Sequence, residues 1–466
     1  LGILAFIRET NCGTIRWQKE ILVQRAILMP FPNRSGSVIT HRFTSPMTVF
    51  FAAAVAVTAI VCPAFSEKET SVGRARIAPS VVHLVPSQEQ RFKAVMQQTR
   101  LKGAAAAQNV TWSVDDIPGG DDRVGHIAAD GLYTAPAQTP KPREVHICAE
   151  VLDSVNHHLW ATVLFEGEGT AYESVSQWSE SIAQPVHLKD PHCLALDHAG
   201  NLLIADFDGS RVHRFTPEGT YLGDLGLGTG ETPGYVIKPR VIQVDHEGNI
   251  FVSDQKKDQP RIQVFSSDGQ FLRIFGDKGI GPGQLLRAHG LAFDSEHRLY
   301  VVDVDAMRIN VYDPSGVFLR TWGHDGPGWG EFNAPHGIAI DANDDVFVVG
   351  YYGPCQKFTP DGKLLRVFAE PDPPDSAVYF HSICVDRWGN VYLTVRGVGG
   401  YGGAIEDTQG NHVSIMKYNN NGDYAASLTL NVKAHAENWA TVDKDGNVYT
   451  IFVGNERMGV EKSAPR

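Results

Sequence analysis

One short phrase returns six times between residues 192 and 443: a polar position, apolar residues two and four places on, and an aspartate at the fifth. The pairs are His192/Asp197, Arg240/Asp245, His289/Asp294, His336/Asp341, His381/Asp386 and Asn438/Asp443. Successive copies start 45 to 57 residues apart, a period that marks a stacked or ring-forming repeat unit. The apolar positions (Leu194/Leu196, Ile242/Val244, Leu291/Phe293, Ile338/Ile340, Ile383/Val385, Ala440/Val442) keep the two-residue period of a strand. A turn follows, often Gly-Asn (Gly200-Asn201, Gly248-Asn249, Gly389-Asn390, Gly446-Asn447), then a strand such as Leu299–Val302, a third such as Arg308–Tyr312, a Pro314-Ser315-Gly316 turn and a fourth such as Phe318–Trp322. Four strands joined by tight turns make one propeller blade. The sixth copy ends after its third strand, near Arg457 to Lys462, while Tyr172 to Trp178 reads as a fourth strand ahead of the first copy. The chain is therefore expected to close a six-bladed ring through residues 172–178, leaving no open sheet edge.

These repeats resemble the NHL family over roughly residues 170–466. The segment before them differs. Short alternating runs, Val81–Val85, Val110–Val114 and Val145–Ala149, are broken by clusters such as Pro118-Gly119-Gly120-Asp121-Asp122. That pattern reads as a small antiparallel sandwich. Its stretch Gly125 to Pro136, with Val110 to Val114 upstream, resembles bacterial Ig-like domains, which implies a spacer or adhesive module without chemistry of its own. The sequon Asn109-Val110-Thr111 has meaning only in a glycosylating host. The expected organisation is an upstream extension with a secretory signal peptide over 1–66, a linker over 67–75, an Ig-like β-sandwich over 76–167 and the propeller over 168–466, all-β throughout the mature chain.

Six basic residues (Arg8, Arg16, Lys19, Arg25, Arg34, Arg42) face two acids in that head, ahead of an uncharged run from Thr48 to Val61 and Ala64-Phe65-Ser66. Basic flank, short apolar run and small residues describe an export signal. The run falls short of the about 20 residues of a membrane span, so no span is expected in the mature chain. Leu1 is not Met, and Met29 or Met47 is the expected start. A secreted, periplasmic or cell-surface location follows. Without the head the net charge moves from −12 to −16, which argues against nucleic acid as a partner. Cys148, Cys193, Cys355 and Cys384 remain, without the spacing of a disulfide framework or a zinc finger.

In a propeller the first strand of each blade lines the central channel, so the first positions of the six copies converge. Four of them are histidine. His192, His289 and His381 belong to alternate blades, and three neutral imidazoles converging with a position left open are the ligand set of a catalytic metal, commonly zinc. His336 and Arg240 complete a ring rich in nitrogen. The six aspartates at the strand ends instead read as turn-fixing acceptors of backbone N–H bonds. Asp206, Asp254 and Asp303, ending second strands, and Cys193 and Cys384, beside the ring, take structural readings too.

The ring also resembles that of the peptidylglycine amidating lyases, through Pro191-His192-Cys193-Leu194, Ala288-His289-Gly290-Leu291 and Phe380-His381-Ser382-Ile383. The resemblance implies a divalent metal ion, zinc first, on His192, His289 and His381, with a catalytic tyrosine falling on Tyr352 or on its neighbour Tyr351. The family's substrate-binding arginines have no counterpart: Gln255 or Lys256 stands at one place and Phe207 at another. Two functions follow. One is a secreted metal-dependent lyase or hydrolase, with His192, His289, His381 and His336 about the metal, Tyr352 transferring a proton and Arg240 holding an anionic group of a small-molecule or peptide substrate. The other is a non-catalytic scaffold binding a protein or glycan on its loops. The Gly-rich loop Gly397 to Asn411 is read as a surface insertion shaping one channel mouth.

Overall fold

The computed structural model describes residues 76–97, 104–106, 110–151, 157–165, 172–179, 186–256, 259–351, 353–369, 379–396, 405–406, 412–429, 439–454 and 457–466. The signal peptide, the linker, Asn109, Tyr352, Asn438 and most of the 397–411 loop lie outside them. Among the described residues the only helical element is a single 3-10 turn, Val304–Ala306.

Six sheets radiate from one axis. Their inner strands are Pro191–Leu196, Val241–Val244, Ala288–Phe293, Pro335–Ile340, Tyr379–Val385 and Ala440–Val442, each packed on the next and the sixth on the first. The protein is a six-bladed propeller. In blades one to four the chain runs outward through four antiparallel strands in order. Blade six is built from both ends, with Tyr172–Ser179 pairing antiparallel to Arg457–Pro465 from Tyr172↔Pro465 to Ser179↔Gly459.

The strand chemistry explains the layers. Second strands such as Leu299–Asp303 are covered on both faces by neighbouring blades and are buried throughout, whereas outer strands such as Phe318–Trp322 alternate half-buried with exposed. Loop residues wedge between blades: Phe332 packs against Trp322 and Phe358, at centroid distances of 5.9 and 5.6 Å. Each such buried side chain contributes about 1.5–3 kcal/mol. All six repeated aspartates take the structural role. Asp197 accepts the N–H groups of Ala199 and Asn201 at 2.9 and 2.8 Å, and Asp245, Asp294, Asp341, Asp386 and Asp443 do the same.

The described residues between 76 and 165 form β-sheets around a core of their own that includes Phe92, Tyr133, Ile147 and Val163. The largest sheet orders Val81–Leu84, His157–Phe165, Glu144–Val151, Val110–Val114 and Ile117–Pro118. This region is fastened to blade five. The His146 ring lies flat on Trp388, centroids 4.0 Å apart at 7°, and its Nε2 meets Glu144 at 2.8 Å while Nδ1 meets Asp115 at 3.1 Å. Glu144 also pairs with the ammonium of Lys417 from the propeller. All three members are buried. Burial alone would raise Glu144, but Lys417 and His146 outweigh it and hold the carboxyl at about 2. Burial would likewise lower His146, and the carboxylates of Asp115 and Glu144 instead lift it to about 9.

Candidate functional site

Each ring histidine sits in a β-bulge. The pairing of inner and second strands slips between Pro191 and Cys193, Ala288 and Gly290, Pro335 and Gly337, and Phe380 and Ile383. A bulge re-aims the extra residue, so His192, His289, His336 and His381 are taken out of the strand's regular alternation. The glycine after two of them follows from crowding: a Cβ on Gly290 would stand 2.8 Å from the carbonyl oxygen of His336.

The segments entering the ring are pinned by the aspartates that end second strands. Asp206 accepts the N–H groups of Lys189 and Asp190 at 3.1 and 2.8 Å, Asp254 that of Ile237 at 3.1 Å, and Asp303 those of Leu286 and Arg287 at 2.9 Å each. These three are thus positioning groups.

Around the channel the imidazoles of adjacent blades touch. His289 and His336 lie 3.8 Å apart between ring centroids, His336 and His381 4.2 Å, with Trp439 5.8 Å from His381. His336, fully buried, donates from Nδ1 to the carbonyl of His381 at 3.0 Å. That fixes the tautomer, and Nε2 accepts the hydroxyl of Tyr351 at 2.9 Å. Burial, then the charges of His289 and His381, push the His336 pKa well below the ordinary histidine value, so this imidazole is neutral. Arg240 approaches Nε2 of His289 at 3.3 Å and donates to Gln255 at 3.3 Å. Its guanidinium and the Lys238 ammonium lie 4.6 and 4.3 Å from the centroid of Phe207, which stacks on His192 at 4.5 Å. His192 in turn meets Asp190 at 3.0 Å through Nε2.

The contacts therefore bring together His289, His336 and His381, with Arg240 beside His289 and Tyr351 bonded to the central His336, whereas the sequence reading grouped His192, His289 and His381 from alternate blades. Among the described residues no three His, Cys, Asp or Glu side chains meet in an arrangement that can hold a metal ion. Three of the four imidazoles carry a partner at Nε2: Tyr351 on His336, Arg240 on His289 and Asp190 on His192. A cation beside Arg240 would also be repelled. As arranged, these side chains do not converge on one metal position among the described residues.

Among the described residues the tyrosine that reaches the ring is Tyr351, the neighbour of Tyr352, which lies outside them. The register supplies the signal. Pro335 pairs with Gly350 as Ala288 pairs with Asp303 and Pro191 with Asp206, so Tyr351 holds the place of Val304 and Phe207, the first residue beyond the second strand. In all three blades that residue's N–H bonds the carbonyl two places before the ring histidine, Tyr351 to Ala334 at 3.1 Å, Val304 to Arg287 at 3.0 Å and Phe207 to Asp190 at 2.9 Å.

The DUF5128 family model, described as a 6-bladed beta-propeller, matches residues 236–321. Protein brain tumor of Drosophila melanogaster is 27% identical over 119 residues, which span 25% of this chain and 11% of that relative's length. Among solved structures, virginiamycin B lyase from Staphylococcus aureus is 14% identical with a TM-score of 0.42, covering 76% of this chain and 99% of that one. A gluconolactonase from Xanthomonas campestris is 15% identical with a TM-score of 0.42, covering 64% and 98%. A protein of unknown function from Bacteroides thetaiotaomicron is 12% identical with a TM-score of 0.47, covering 84% and 98%. None of them assigns an activity to this chain.

Proposed function

We propose that this propeller is a secreted enzyme of the lyase or hydrolase kind, acting on a small anionic or peptide substrate at the channel ring by proton transfer. The observation that carries the reading is the hydrogen bond from Tyr351 to the buried, neutral His336. With its proton turned to Nε2, the tyrosine oxygen keeps lone pairs for a hydroxyl, that of an α-hydroxy substrate or of the water that attacks a lactone. As that hydroxyl's proton moves to Tyr351, the phenolic proton passes to Nε2. His336 holds the extra proton weakly and returns it readily, as an acid–base cycle requires. An anionic group near Arg240 and His289 also offsets the charge that forms. The Ig-like reading of residues 76–167 belongs to this proposal as the module that carries the propeller.

The test is turnover of two substrate classes, a peptidyl-α-hydroxyglycine followed by glyoxylate release and a set of simple lactones. Tyr351→Phe is expected to cut kcat by at least ~100-fold. Turnover of neither class, or an unaffected Y351F enzyme, refutes the reading. The scaffold alternative would then stand on Leu222, Leu272 and Leu319, apolar side chains 44–49% exposed on the outer strands of blades one to three.

A further inference from the structure

Blade four lacks a plug that blades two and three carry. In blade two Asp254 faces Arg261 across the second and third strands. The guanidinium, bonded to Asp254 at 2.6 Å, fills the space under the loop that enters the ring by donating to the carbonyls of Glu231 and Tyr235 at 2.7 and 3.0 Å. Blade three repeats this with Asp303 and Arg308, which donates to Ile280 and Gln284 at 2.8 and 2.9 Å. Blade four keeps the loop anchor: Gln356 accepts from Gly330 at 2.6 Å and donates to Glu331 at 2.8 Å, as Gln263 accepts from Gly234 and donates to Tyr235, both at 2.9 Å. Yet the Asp–Arg pair is gone. From the register Val348↔Gln356, Gly350 stands where the aspartate would be and Pro354 where the arginine would be.

What replaces the plug is a cavity of about 260 Å³, walled by Pro327, Phe332, Pro335, Val348 and Pro354 with Trp329 on its rim. Asn333, Glu331 and Gln356 add polar groups to the lining. Trp329 is 71% exposed and takes the loop position that blades two and three give to Pro233 and Pro282. Pro335 and Gly350, which line the cavity, are the chain neighbours of His336 and Tyr351, so its wall and the proposed proton-transfer pair are carried by the same two strands. Flat proline and glycine walls with an exposed indole on the rim suit a planar ring, because such surfaces gain from stacking as well as from burial.

We propose that this blade-four cavity is a specificity subsite that receives an aromatic side chain of the substrate, next to the group on which Tyr351 acts. This rests on the functional reading above for the identity of the reacting site, but not for the binding. Trp329 and the cavity walls determine which substrates reach Tyr351, and blades two and three show how the same space looks when closed.

Calorimetric titration of the full chain with N-acetyl-phenylalaninamide and with N-acetylglycinamide tests it. The phenylalanine probe is expected to bind with a Kd of roughly 1 mM, and the glycine probe at least ~10-fold more weakly. Trp329→Ala removes an exposed stacking surface, and Pro354→Arg rebuilds half of the plug found in blades two and three. Each is expected to weaken the phenylalanine probe by ~5-fold or more. Equal binding of the two probes, wild-type binding by both variants, or no saturable binding at ~10 mM overturns the subsite. Because Y351F leaves the cavity walls intact, it should bind the probe as wild type does, so loss of turnover and loss of the subsite are read separately.

Discussion

Replacing Lys417 with Met strikes the buried joint between the N-terminal sheets and blade five. Lys417 and Glu144 are both buried, and removing one partner of such a pair leaves a charge that costs about 3–5 kcal/mol. The low end applies here, about 3 kcal/mol, because His146 still faces Glu144 at 2.8 Å. With a denaturant slope of about 3 kcal/mol per molar, the urea midpoint should fall by about 1 M. Adding Glu144→Gln to Lys417→Met removes the stranded charge and should recover roughly a third or more of the loss. A midpoint shift below about 0.2 M, or a double variant no better than Lys417→Met alone, would show that this network does not hold the two regions together. Its pH response has a defined sign. Glu144, held at about 2 against a usual 4.5, contributes stability above the unfolded value that is lost as pH falls toward 2. His146, held at about 9 against a usual 6.5, contributes below 6.5 and loses that share as pH rises through about 9. Docking should therefore be strongest between those two unfolded values, weakening on both sides by up to about 3 kcal/mol.

Three further outcomes are expected. His336→Ala should lower kcat as much as Tyr351→Phe does, and the double variant no further, since the two side chains act as one unit; additive losses would separate them. In Tyr351→Phe the buried Nε2 of His336 loses its donor, so thermal denaturation should register a loss of about 1–3 kcal/mol. Protein grown with ample metal and then dialysed should retain less than about a tenth of an equivalent of any divalent ion by mass spectrometry, following the coupling of site geometry to affinity. A full equivalent that falls on His192→Ala, His289→Ala or His381→Ala would mean that these imidazoles turn away from their present partners to bind it.

The six-fold phrase carried the architecture because blade formation is local. An alternating strand, a turn fixed by an aspartate at the fifth position and a recurring spacing are all written in neighbouring residues, and the hydrogen bonds of Asp197 and its five counterparts follow that script. The same locality made the ring positions legible, since equivalent residues of equivalent strands must converge. It did not say which imidazoles would share a partner. His336 pairs with Tyr351 because one strand pairing slips at the bulge and another ends at Gly350, and register is a property of two strands together. The joint through Glu144, His146 and Lys417 joins residues 271 or more positions apart along the sequence, so no periodicity could announce it. By itself, the sequence determined the number of blades and the chemical types offered to the channel. Only the tertiary structure decided their pairings and opened the cavity in blade four, because bulges, cross-strand register and the lack of a buried ion pair act between segments that no local pattern connects.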